Sequence, residues 1–283
     1  MPTRVAILAA GFFLAATSIF AAPLTSASVT EMKNVVRFND RAAKLRDSIS
    51  GTDMVTTGER SLAELEFNDK TITRLGSKTV FTFGGEKREF VVNDGLSLIC
   101  VPKGSGGGKI VTAAITAAIE GTTVLTERFS VAGKTAGDPA RPATKYIFIE
   151  GRGIIATPDG KQKQPIRGGQ MIVHILGDPK LADTQDIDLA TLVNESGIVS
   201  GFARQLPTWD AIQNAIKRQR VELRRGFLEE SRFFLVGRGT QVGKRAMHQP
   251  AGYENIKDAT HNDSAGAIAL SESAACDCQP GPK

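Results

Sequence analysis

The stretch Thr57-Gly58-Glu59-Arg60-Ser61-Leu62-Ala63-Glu64-Leu65-Glu66-Phe67-Asn68-Asp69-Lys70-Thr71-Ile72-Thr73-Arg74-Leu75-Gly76 decides the fold class. From Ala63 to Phe67 apolar and acidic residues alternate, with Ala63, Leu65 and Phe67 on one face and Glu64 and Glu66 on the other. Successive side chains of a strand point to opposite faces, so this segment reads as a half-buried β-strand with its acids turned to water. Asn68-Asp69-Lys70 reads as a polar turn, because Asn and Asp tolerate left-handed backbone and bond to it with their own side chains. Thr71 to Leu75, rich in β-branched residues, predicts a second strand, and Val80 to Phe83 a third beyond Gly76-Ser77. Three strands in so short a span predict a mainly β unit of short strands, a solenoid-like roll or a sandwich.

The rhythm extends in both directions. Val35, Val36 and Phe38 predict an earlier strand, and Phe90-Val91-Val92 a later one that ends at the turn Asn93-Asp94-Gly95. Leu96 to Val101 follows, with Leu96, Leu98 and Cys100 on one face. Lys103-Gly104-Ser105-Gly106-Gly107-Gly108-Lys109 superficially suggests a phosphate loop. Its glycines are wrongly spaced, Ile110 follows Lys109, and the next segment is strand-like, so a hairpin loop is expected. Ile110 to Ser130, Tyr146 to Ile149, Gly151 to Thr157, Lys163 to Arg167 and Gln170 to Leu176 continue the β unit. Composition changes at Gly177-Asp178-Pro179. Ile187, Leu189, Leu192 and Val193 predict a short helix, and Thr208 an N-cap for a second. Trp209, Ile212, Ile216, Leu223 and Phe227 form its apolar stripe, expected to pack on the β unit or on another subunit.

The opening stretch resembles the FecR domain, the periplasmic domain named after the iron-citrate signalling regulator of Gram-negative bacteria. The resemblance rests on Thr57-Gly58, Ser61, the strand carrying Glu64, Leu65 and Phe67, the turn at Asp69, and Arg74-Leu75-Gly76. Lys70 departs from it, standing where Gly is usual. Gly121-Thr122 after an apolar run, Glu150-Gly151 and Gly169-Gln170 extend the likeness over Val29 to Ile175. The resemblance implies a β fold and a non-catalytic binding protein of the periplasm or cell envelope, of the FecR-domain type. Such a protein acts in signalling or as a scaffold through protein or glycan contacts, and no cofactor is implied. The alternatives are a membrane-tethered regulator of a transmembrane signalling partner and a carboxylate-dependent enzyme on envelope polymers.

The N-terminus carries the location. Arg4 precedes an uninterrupted apolar and small-residue run from Val5 to Phe20, long enough for an export signal and short for a membrane span. Export through the Sec pathway to the periplasm is expected, with cleavage after Ala27 through Thr25; an uncleaved N-terminal anchor is the other reading. The expected organisation is a signal peptide at 1–27, a FecR-like β domain at 28–177, a helical segment at 178–236 and a disordered tail at 237–283.

The chain has 283 residues, with 41% hydrophobic and 23% charged, which suits a globular protein. Aromatics are 6%, with one Trp and two Tyr, which disfavours a carbohydrate site built on aromatic platforms. A net charge of +5 is modestly basic, too little by itself to argue for nucleic acid, and none is expected. His174, His248 and His261 have no zinc-ligand spacing, so no catalytic metal site is expected of them. His174 reads as a strand residue, Cys100 as a buried small hydrophobe. Cys276-Asp277-Cys278 could bridge locally, bind metal, pair with another chain, or remain tail thiols. Glu64 and Glu66 read as outward acids rather than a catalytic pair. Lys217, Arg218, Arg220, Arg224 and Arg225 line the polar side of the second helix. They form an interaction face for anionic headgroups or an acidic partner, or else a solvated face.

Overall fold

The structure is a computed structural model that describes residues 23–51, 53–133, 135 and 137–228, and the backbone of 235–236 and 242–243. In chain order, β1 (Ser26–Lys33), β2 (Val36–Phe38), β3 (Arg41–Ala42), β4 (Ser48–Ser50) and β5 (Val55–Thr57) precede the hairpin of the opening stretch, β6 (Leu62–Phe67) and β7 (Ile72–Leu75). There follow β8 (Val80–Gly84), β9 (Glu89–Val101), β10 (Gly108–Val111), β11 (Thr116–Ile119), β12 (Thr122–Val131) and β13 (Arg141–Glu150). The unit closes with β14 (Arg152–Ala156), β15 (Lys163–Arg167), β16 (Gln170–Ile175) and β17 (Gln185–Asp186). Three helices come next, α1 (Leu189–Glu195), α2 (Gly197–Ser200) and α3 (Trp209–Arg224), and then a two-stranded ribbon, β18 (Leu235–Val236) and β19 (Val242–Gly243).

The strands form two layers. One runs β4-β1-β6-β7-β9-β12-β13-β16-β17, the other β3-β2-β5-β8-β9-β10-β11-β14-β15. β9 belongs to both: Glu89 to Asp94 pairs with β8 in the second layer, and Gly95 to Val101 with β12 in the first. Among these pairings only β9 with β10 is parallel. The chain passes from a hairpin in one layer to a hairpin in the other and back, a mainly β fold as the turn rhythm predicts.

Two cores result. Between the layers Leu65, Phe67, Phe81, Phe83, Phe90, Tyr146 and Phe148 are buried. Phe67 meets Phe83 and Phe90 edge-on, with centroids 5.0 and 5.5 Å apart, the arrangement the ring quadrupoles favour. On the other side of the first layer Ile72, Leu98, Cys100, Leu125, Ile147, Ile149 and Met171 pack against Leu189, Leu192, Ile198, Ile212 and Ile216 of the helices. The helical segment therefore covers the β unit of its own chain.

Several expectations change. The face of β6 that carries the acids is not wet: Glu64 is 1% exposed beneath the helices. The β unit begins before residue 28, since Leu24 and Ala27 are each 1% exposed and Ala27 pairs with Ile49 and Phe67. It runs past 177, through Gln185–Asp186. Val35 is exposed, outside the strand at Val36–Phe38. The glycine loop before β10 has positive φ at Gly104, Gly106 and Gly107, and Arg88 Nε donates to the Gly107 carbonyl at 2.7 Å. Of the sequence at 237–283, only the backbone of Val242–Gly243 falls among the described residues; Cys276, Cys278, His248 and His261 lie outside them.

The layer edges are guarded. β3 and β17 have two residues each, β4 has three, and β15 carries Pro165 between exposed Lys163 and Arg167. Short strands, proline and charge all discourage a further strand from pairing there, so strand addition is a poor route to a partner.

Candidate functional site

The residues of the family resemblance hold corners of the fold. The Thr57 hydroxyl donates to the Gly76 carbonyl at 2.5 Å and accepts from the Thr79 amide at 2.9 Å, tying β5 to the end of β7. The Gly58 amide donates to the Val35 carbonyl, and the Ser61 hydroxyl accepts from the Val35 amide at 3.0 Å. Gly76 lies so close to Leu96 that a β-carbon there would sit 3.1 Å from the Leu96 Cβ. Asp69 caps its own turn through the Thr71 amide and pairs with Arg88 at 2.5 Å, while Lys70 adopts φ +70°, the conformation a glycine would take. Gly121 turns at φ +56° against Lys103, and buried Thr122 donates to the Glu120 and Arg152 carbonyls. Leu65, Phe67 and Leu75 are core residues. These positions are brought together as framework rather than as a binding surface.

The acids of β6 fasten the helices. Glu64 stands directly opposite Arg74 on β7, and their carboxylate and Nε are 2.8 Å apart with both side chains 1% exposed. Arg74 Nη1 donates to the Val199 carbonyl at 2.6 Å and the Ile198 carbonyl at 3.3 Å, and Nη2 donates to the Arg204 carbonyl. Its guanidinium also sits 4.4 Å from the Phe202 ring centroid. Arg204 returns the contact, reaching Glu64 at 2.9 Å and Glu66 at 2.7 Å. The Arg204 hydrogen bond holds the Glu66 carboxyl below its ordinary range, against burial. Both acids are thus engaged by arginine.

A second set of polar contacts seats α3. Thr208 is the N-cap residue, as the sequence predicts, yet its side chain makes no cap bond. Its hydroxyl lies 2.6 Å from that of Thr123 and 3.2 Å from the Cys100 sulfur, and Thr123 donates to Glu150 at 3.0 Å. Burial pushes the Glu150 carboxyl up, with Thr123, Lys103 and Arg218 pulling it back. Burial likewise pushes the Cys100 thiol up, which disfavours thiolate chemistry there. Gln219 on α3 spans to the start of α1, accepting from the Leu189 amide at 3.1 Å and donating to the Ile187 carbonyl at 2.7 Å. His174 is buried in β16, where burial lowers its pKa against the pull of Asp178.

With Ile212, Ala215, Ile216 and Gln219 turned inward, the opposite side of α3 faces water. Lys217, Arg218, Arg220, Arg224 and Arg225 are all exposed there, and none forms a salt bridge among the described residues. At 3.6 residues per turn they fill an arc of about 160° centred opposite the buried side. Arg220 and Arg224 are four residues apart on the same side, a like-charge pair that costs a helix about 0.2–0.5 kcal/mol. Glu222 is already engaged, 3.4 Å from Arg167, which is itself 3.6 Å from Asp186. These five cations, named from the sequence, are the one predicted group that the fold assembles into an open face. The sequence reading named Arg74 only within the family resemblance and gave no role to Arg74, Arg204, Thr123 or Gln219. The Glu64–Arg74 pairing had a signal, because a short turn at 68–70 sets those two opposite each other.

Among the described residues no three His, Cys, Asp or Glu side chains are placed to hold a metal ion, and no helix is long and apolar enough to cross a membrane. No protein-family model matches the sequence, and no curated protein does. Two crystal structures of a candidate anti-sigma factor from Parabacteroides distasonis, at 1.65 and 2.50 Å resolution, are similar in fold. They are 11% and 12% identical with a TM-score of 0.39, over 50% of this chain and 62% of theirs. A likeness of that size carries no functional argument.

Proposed function

We propose that this is a non-catalytic binding protein of the bacterial cell envelope, of the FecR-domain type. It acts in signalling or as a scaffold through protein or glycan contacts, and it is held in place by an anionic envelope component that meets the basic side of α3. The export signal read from Arg4 and the apolar run Val5 to Phe20 supports the location. The observation that carries the reading is the row of five exposed cations along α3 and its C-cap, none of which forms a salt bridge among the described residues. Clustered like charges on a rigidly seated helix favour a partner of opposite sign.

The test compares the full chain with a variant in which Lys217, Arg218, Arg220, Arg224 and Arg225 are all Gln. Expressed in a Gram-negative host and fractionated, the natural chain is expected with the envelope, together with a companion protein or glycan fragment. The variant is expected in the soluble periplasmic fraction. Equal retention of both by the envelope, with the same companions, would refute the α3 reading.

A further inference from the structure

We propose that the anionic component met by α3 is a lipid surface, and that the end of the helix from Lys217 to Phe227 lies in the headgroup layer. The proposal rests on α3 being the contact face and names what occupies it. Phe227 supplies the observation. It is 74% exposed, whereas Phe38, Phe67, Phe81, Phe83, Phe90, Phe148 and Phe202 are all buried. The apolar stripe of the sequence places Phe227 with the inward residues, but α3 ends at Arg224 and the chain turns the ring outward.

The turn is firmly closed. The Gly226 amide donates to the Leu223 carbonyl at 3.0 Å and the Phe227 amide to the Glu222 carbonyl at 2.9 Å, with Gly226 at φ +73°. Those paired bonds are the usual closure of a glycine-terminated helix, in which the residue after the glycine commonly packs back on the last turn. Here the backbone is fixed and the ring stays in water. An exposed aromatic held two residues beyond Arg225, at the end of a cationic arc, matches the chemistry of a helix lying in a membrane interface. There cations meet lipid phosphates and the ring enters the acyl boundary. An acidic protein would satisfy the cations and leave Phe227 without a role. The inward side of α3 is anchored on the first layer, so the helix presents this side lengthwise.

The experiment is co-sedimentation of the exported, signal-cleaved protein with vesicles of phosphatidylcholine alone and of an equimolar mixture with phosphatidylglycerol. Binding is expected only to the mixture, weakening with salt and by about fivefold in apparent affinity for each α3 cation changed to Gln. In Phe227→Trp, emission is expected to shift to the blue on the mixed vesicles, and Phe227→Ala to bind more weakly. Equal binding to both vesicle types, no binding to either, or no blue shift would overturn the lipid occupant. So would polyglutamate binding that is as tight at matched charge and independent of Phe227. If vesicles fail while envelope retention still depends on the five cations, the lipid occupant falls and the contact face stands. If neither depends on them, both fall.

Discussion

Replacing Arg74 by Met tests the joint between the β unit and its helical cover. Arg74 is 1% exposed and makes one ion pair, three hydrogen bonds to carbonyls of residues 198, 199 and 204, and a ring contact with Phe202. Met matches the apolar stem but leaves Glu64 buried with only Thr30 and the half-exposed Arg204 as partners among the described residues. Removing one partner of a buried pair costs about 3–5 kcal/mol, because a desolvated charge remains. Arg204 offsets part of this, but a pair so open to water contributes no more than about 1 kcal/mol. The expected loss is therefore about 2–4 kcal/mol. Glu64→Gln should cost less, because Arg74 keeps its carbonyl partners. The double variant Glu64→Leu, Arg74→Met removes the stranded charge but still leaves three carbonyls short of a donor, so it should recover only part of the loss. Urea denaturation at neutral pH measures each value, and hydrogen exchange locates it. Amides at 197–206 should exchange faster in Arg74→Met than amides of β12 and β13. A loss under 1 kcal/mol, or unchanged exchange at 197–206, would show that the pair does not hold the cover.

Three further outcomes are expected. Glu150 has its folded pKa raised by burial, so its charge costs stability above that pKa and the cost vanishes as pH falls below the unfolded value. Glu150→Gln, whose amide oxygen still accepts from Thr123, should raise the melting temperature at neutral pH, with the gain fading in acid; a gain independent of pH would refute this. A chain starting at Ser28 lacks buried Leu24 and Ala27, so it should be less stable than one starting at Pro23 by at least the roughly 2–5 kcal/mol of a buried Leu. Intact-mass analysis of exported protein should accordingly find a mature N-terminus no later than Leu24. Phe67→Ala, which removes the ring shared by Phe83 and Phe90, should cost about 3–5 kcal/mol in denaturant unfolding.

The strands were legible because a period of two is written into Ala63 to Phe67 and because the turn at 68–70 fixes the register. What the local pattern does not state is which polar face acquires a cover. The cover comes from residues 189–225, far along the chain, and period two assigns sides without assigning solvent. A signal was present nonetheless. Tyr146-Ile147-Phe148-Ile149 is apolar without interruption, which a strand buried on both faces requires, and all four residues are buried. Ile72 and Leu98, on the side of the acids, point the same way. β1 went unread because its Ala27 and Val29 lie where small residues also suit a cleavage site. Thr208 was placed correctly as an N-cap, but its hydroxyl is taken by Thr123 across the helix–sheet joint, a contact that no local rule reports.

The same contacts that bury the acids also set the bearing of the basic side. Gln219 is held between the Leu189 amide and the Ile187 carbonyl, and Thr208 is held to Thr123, so α3 is fixed in rotation at both ends. Sliding the helix by one residue would turn it by about 100°. Gln219 would then leave its partners, and part of the cationic arc would turn toward Ile149 and Met171. Burying an unpaired guanidinium there would cost several kcal/mol, so the register is chosen as firmly by the cations outside as by the apolar residues within. A helix held this rigidly loses little backbone freedom when a partner arrives, which favours contact by α3 over contact by the guarded sheet edges.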